Sequence, residues 1–287
     1  MKSKYKKVII VGAPRSGTNM LRDVLSSLDG IDTWPCDEIN YLWRHDNKNF
    51  PSDELSSSNA TKKVKVKIEQ EFDKLAKKTQ AEVVLEKTCA NSLRLDFVQT
   101  LIPDAKYIFI YRDGIDCLSS AKKRWTADLD LPYLVKKAKY VPLIDLPYYA
   151  TRYLFNRIVK LFSKQKKLAY WGPQLEVGIV NSSDSLVEIC AKQWQRCVEK
   201  SLDFFETRTK SDYYSVSYED FVVNPKERLY EMLDFIEKSV DDEIICKAVE
   251  NVSSRSVGLG YQELTKEDLC KAEAIINKTK TRLGYSK

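Results

Sequence analysis

A chain of 287 residues, 43% hydrophobic and 31% charged, has the makeup of a globular protein long enough to bury its own core. Lys and Arg outnumber Asp and Glu by 47 to 41, a net +6 that suits an anionic ligand and is too weak to argue for nucleic acid. The single histidine, His45, excludes zinc sites built on several imidazoles and any serine–histidine apparatus that does not use this ring.

Residues Val8 to Val11 form an apolar, β-branched run between turn signals, the pattern of a buried parallel strand. Gly-Ala-Pro-Arg cuts the run off, so it is too short for a signal peptide, and no stretch approaches the ~18 apolar residues of a membrane span. Thr18 to Leu28 carries a helical apolar stripe at 20, 21, 24, 25 and 28. A polar loop over Asn47–Asn59 precedes a Lys-rich helix at about 62–78. A short strand is expected at Val83–Leu85, a helix at about 91–101, a strand at Tyr107–Tyr111 and a helix at Ile115–Trp125. Farther on come a strand at Tyr213–Val216, a helix opened by Asn224-Pro225, and a last helix behind the capping pair Thr265/Asp268. Strands alternating with helices predict an α/β fold with a central parallel sheet flanked by helices. Seven cysteines without a CxxC pair read as reduced, buried thiols of a cytoplasmic protein, and no metal site is expected.

Residues 128–182 interrupt the alternation. They hold nine basic and four acidic residues, nine aromatics and four prolines. They read as a helical insertion, a cap on the acceptor side of one domain spanning 1–287. Within it, 152–167 is basic and amphipathic.

The sharpest signal is Gly12-Ala-Pro-Arg-Ser-Gly17-Thr18-Asn19 between a predicted strand and a predicted helix. The spacing G-x-x-x-x-G is that of a phosphate loop, whose backbone N–H groups and helix N-terminus cradle an anion. Where a nucleotide triphosphatase has Lys and Ser/Thr, this chain has Thr18 and Asn19, and its cation, Arg15, stands inside the loop.

The segment 14–21, PRSGTNML, resembles the 5′-phosphosulfate loop of the P-loop sulfotransferases, which use 3′-phosphoadenosine 5′-phosphosulfate (PAPS). A second block, Tyr107 to Gly114 followed by Ser120, is similar to the family's 3′-phosphate site, an Arg at a strand end with a Ser eight residues later. The resemblance implies that Arg15, Ser16, Gly17, Thr18, Asn19, Arg112 and Ser120 hold the donor. It also points to Tyr218, of Ser217-Tyr218-Glu219-Asp220, beside the adenine, and to Ser256 and Gly258 in a loop that closes over the nucleotide. Relatives with Arg in the loop place a Glu base about twenty residues downstream. Glu38, in Trp34-Pro35-Cys36-Asp37-Glu38, stands at that distance, with Asp37 and His45 as alternatives. Glu86-Lys87-Thr88 is similar to the family's lysine segment, and Lys87 is expected to add positive charge at the sulfo group, with Arg15 as the other cation.

The expected activity is therefore transfer of the PAPS sulfo group to a hydroxyl or amine acceptor, a glycan or lipid among the candidates, by in-line displacement with no metal. A P-loop kinase or NTPase, or a membrane-surface module using 152–167 for peripheral contact, are the competing readings.

Overall fold

The computed structural model describes residues 5–126 and 171–285, with single positions 147, 151 and 154 between them. Most of the 128–182 segment, with its amphipathic stretch, lies outside the described residues.

The five strands are β1 (Lys6–Val11), β2 (Ile31–Thr33), β3 (Val83–Lys87), β4 (Lys106–Tyr111) and β5 (Tyr213–Ser217). They form one sheet in the order β2-β3-β1-β4-β5, with every pair parallel. Alternation along β1 explains how it serves a sheet covered on both faces. Val8 and Ile10 join one core with Leu21, Leu25 and Ile108, while Ile9 and Val11 join the other with Trp34, Phe72 and Phe109.

The connecting helices are α1 (Thr18–Ser26), α2 (Asn40–Trp43), α3 (Lys62–Thr79), α4 (Leu95–Leu101) and α5 (Gly114–Trp125). After the insertion come α6 (Leu186–Glu206), α7 (Tyr218–Val223), α8 (Pro225–Phe235), α9 (Asp242–Val249), α10 (Leu259–Glu263) and α11 (Lys266–Arg282). Helices α5, α6 and α11 bury a third cluster around Ile115, Trp194 and Ile276. Among the described residues, no helix is long and apolar enough to cross a membrane.

Several sequence expectations need correction. The helix expected at 91–101 is a 3₁₀ turn, Cys89–Leu93, followed by α4. Arg94 between them leaves helical geometry because its guanidinium is drawn onto Asn91 Oδ1 and Asp53. Tyr218, directly after the end of β5, is the buried first residue of α7. Asn224 stands at the start of α8, but its side chain reaches back to Asp220 and does not cap. Thr265 does cap α11, accepting from the Asp268 amide. Five cysteines are buried, whereas Cys246 and Cys270 are exposed, and among the described residues none of the seven forms a disulfide.

Candidate functional site

Parallel strands end together, so everything that follows β1, β3, β4 and β5 is delivered to one edge of the sheet. Ile10 pairs with Lys87, Val11 with Phe109, and Tyr111 with Ser217. Across that edge stand Lys87, the loop 12–17, Arg112 and Tyr218, in that order. This is the crevice at the strands' carboxyl ends where open α/β sheets bind ligands.

The loop conforms closely to its neighbours. A Cβ on Gly12 would stand 2.5 Å from the Ile110 carbonyl oxygen, so only glycine lets β1 turn away against β4. Gly17 has φ +93°, and a Cβ there would meet Tyr218 Cδ2 at 2.5 Å. Arg15 also lies in the left-handed region, at φ +73°, a conformation a non-glycine residue holds at a cost. Helix α1 then begins with no side-chain cap and no acidic residue in its first turn, leaving backbone N–H groups and positive dipole for an anion. The Ser16 and Thr18 hydroxyls turn inward, each 3.6 Å from a buried thiol, Cys117 and Cys89 respectively. Burial pushes both thiols up, so they are neutral partners.

Arg15 Nε donates to Ser120 Oγ at 2.8 Å. Burial, then the positive charge of Arg124 and more weakly of Arg112, holds its guanidinium below its ordinary value. Among the described residues no carboxylate pairs with it.

Arg112, 7% exposed, is fixed on four sides. It donates to Asp116 Oδ2 at 3.3 Å, to the Arg15 carbonyl at 3.4 Å and to the Ser256 carbonyl, and it stacks 4.2 Å above the Tyr218 ring. The Tyr218 hydroxyl in turn meets Ser256 Oγ at 2.6 Å. Asp116, which sequence reasoning passed over, ties the loop of Ser256 and Gly258 to this strand end by accepting from the Gly258 and Gly260 amides at 2.8 and 2.7 Å. Its spacing of four residues from Arg112, across the junction of β4 and α5, was the available signal. Two buried polar atoms here have no hydrogen-bond partner among the described residues, Arg112 Nε and Asn19 Oδ1.

On the other side of the loop, Lys87 Nζ and the Cys89 amide both donate to Glu38 Oε1 at 3.2 Å. Burial, the largest single influence, works against the Lys87 ammonium, but Glu38 together with weaker contributions from other neighbours holds the lysine above its ordinary value. Asp37, one residue earlier, instead pairs with Arg22 of α1 at 3.2 Å. His45 lies in the turn after α2, its amide bonded to the Leu42 carbonyl. Of the three sequence candidates, the structure places Glu38 on Lys87. Among the described residues, no group of three or more His, Cys, Asp or Glu could hold a metal ion.

All ten residues expected to hold a nucleotide thus fall on one sheet edge, with the Glu38–Lys87 pair beside them. What the arrangement offers chemically is an uncapped helix start behind a loop that carries Arg15, a second guanidinium at Arg112, and a carboxylate paired with a lysine.

A sequence model of the sulfotransferase family matches residues 7–157. No curated protein matches the chain. Among solved structures, the sulfotransferase domain from the curacin biosynthetic pathway shares 13% identity at TM-score 0.54, over 98% of this chain and 98% of that one. A sulfotransferase from Mycobacterium avium shares 12% at TM-score 0.52, over 98% and 77%. A mouse sulfotransferase complexed with PAP shares 13% at TM-score 0.51, over 97% and 86%. These likenesses show the fold, a parallel sheet flanked by helices.

Proposed function

The chain belongs to the sulfotransferase family, and from that premise we propose that it transfers the sulfo group of PAPS to a hydroxyl or amine acceptor. One observation carries this reading: a phosphate loop without the triphosphatase lysine shares its sheet edge with a second guanidinium site, Arg112 over Tyr218. One such site fits a 5′-phosphosulfate and the other a 3′-phosphate. Arg112 Nε and Arg15, the one without a hydrogen-bond partner and the other without a carboxylate among the described residues, and the uncapped α1 all suit a polyanion of that kind.

PAPS, when bound, supplies an activated sulfo group on a phosphate that can leave. The chain's own residues would do the rest. Loop amides at 16–18 and the N-terminus of α1 neutralise the 5′ anion, with Asn19 beside them. Arg112 and Ser120 hold the 3′-phosphate, with Tyr218, Ser256 and Gly258 closing that side. Arg15, whose Nε rests on Ser120, bridges the two sites and supplies positive charge where it develops in the transition state. Lys87 adds charge from β3, and Glu38 accepts the acceptor's proton. The described end of the insertion supports an acceptor-side place for 128–182. Its Gln174 and Glu176 amides bond Asp53 and Glu54, in the loop that follows Glu38.

The test is binding of the product nucleotide, 3′,5′-phosphoadenosine (PAP), by thermal shift with and without a chelator. PAP should stabilise the chain equally in both conditions and far more than ATP does. Stabilisation that requires ATP together with Mg²⁺ would overturn the reading.

A further inference from the structure

Glu86, the residue before Lys87 in β3, is fully buried, a costly place for a carboxylate. Burial pushes it up to about 7, against the pull of its hydrogen bonds and of Lys87 and Arg94. What surrounds it is a set of donors. Thr88 Oγ1 donates to its Oε1 at 2.5 Å, Trp43 Nε1 donates to the same oxygen at 3.1 Å, and Asn91 Nδ2 donates to Oε2 at 2.9 Å.

Each donor belongs to a segment that reaches Glu38. Thr88 has one hydroxyl proton and gives it to Glu86, so its lone pairs face the other way, and there it accepts from the Ile39 amide at 3.3 Å. The next residue, Cys89, donates its amide to Glu38 Oε1. Trp43 ends the short helix α2 that follows Glu38. Asn91 Oδ1 accepts from Arg94, whose Nη2 donates to Asn40 Oδ1 at 2.6 Å, hooking the same loop a second time. The segment 38–43 is thus hung from one buried carboxylate by three separate routes.

We infer that Glu86 is a positioning residue: through the Thr88 hydroxyl and the Trp43 indole it sets the loop so that the Glu38 carboxylate meets Lys87 and the Cys89 amide. This rests on Glu38 and Lys87 being the acting pair, yet it concerns how they are held and is separable from it. An apolar side chain at 86 would fill the space but would leave three donors unsatisfied, and an amide would present a donor of its own to them.

Hydrogen–deuterium exchange on the full-length chain, with PAP binding in parallel, tests the inference. Glu86→Gln and Thr88→Val should each speed exchange across 38–43 by about tenfold, the size expected for one lost hydrogen bond to a charged group. Thr88→Ser, which keeps the hydroxyl, should exchange like the parent. PAP affinity should stay within about twofold in all three, because the network meets the nucleotide side only at Cys89, through a weak thiol contact to Thr18 and not through the amide that holds Glu38. Unchanged exchange at 38–43, a Ser variant as loose as the Val variant, or a parallel fall in PAP affinity would overturn the inference. If Glu86→Gln does not fold, the Val/Ser pair at 88 decides alone. Failure of the parent to bind PAP would instead refute the proposed function and leave the exchange result standing.

Discussion

Gly17→Ala tests whether the phosphate loop and the Tyr218–Arg112 site are one mechanical unit. At φ +93° an added Cβ lies 2.5 Å from Tyr218 Cδ2, 3.1 Å from Cε2 and 3.3 Å from Ile110 Cδ1. The left-handed backbone costs about 1–2 kcal/mol for any residue with a Cβ. Carbon atoms pack at about 3.5–4.0 Å, so the ring must also retreat by about 1 Å. That ring holds the Ser256 hydroxyl at 2.6 Å and underlies Arg112 at 4.2 Å. Loosening one hydrogen bond and one partly buried cation–π contact removes about 1–2 kcal/mol more. The total is a loss of about 3 kcal/mol in stability, accompanied by weaker PAP binding. Urea unfolding and calorimetric titration with PAP would measure the two. In a Tyr218→Ala background the clash is gone, and Gly17→Ala should then cost only the backbone share of about 1–2 kcal/mol. Strict additivity of the two substitutions, or a Gly17→Ala protein as stable as its parent, would refute the coupling.

Three other outcomes are expected. Arg112→Ala should weaken PAP binding by about 1.5–3 kcal/mol and erase the preference for the 3′-phosphate over a 3′-hydroxyl; an intact preference in competition binding would place that phosphate elsewhere. Arg15→Ala should lower turnover by about 10²–10³ with some loss of PAP affinity, while Glu38→Gln should lose roughly 10²–10⁴ in rate at unchanged affinity and recover partly with acidic phenols; normal turnover in Glu38→Gln would mean the base is another group. Because Glu86 is raised from 4.5 to about 7, the folded chain holds its proton more tightly than the unfolded chain does. Its contribution is therefore full below pH 4.5 and is lost as pH rises through 7, a fall of ~3 kcal/mol that Glu86→Gln should abolish; urea midpoints that track the parent's at every pH would contradict this.

Local chemistry was readable without the fold. The loop 12–19 is a strand, a turn and a helix start in consecutive residues, and Arg112 and Ser120 share one strand–helix junction, so their spacing alone carried the pattern. Helix α6 opens on a capping box of Ser185 and Glu188, a signal local to the sequence. The three-residue edge strand Ile31–Thr33 is too short for any pattern and exists because β3 is there to pair with it. That Glu38, and not Asp37, meets a lysine 49 residues away was not readable from the sequence. The roles of Asp116 and Glu86 likewise come from partners on other elements. Periodicity and turn chemistry record how a segment bonds with itself. Which of two adjacent carboxylates faces a distant cation is set by long-range packing, and only the assembled sheet edge brings those groups within a hydrogen bond of one another.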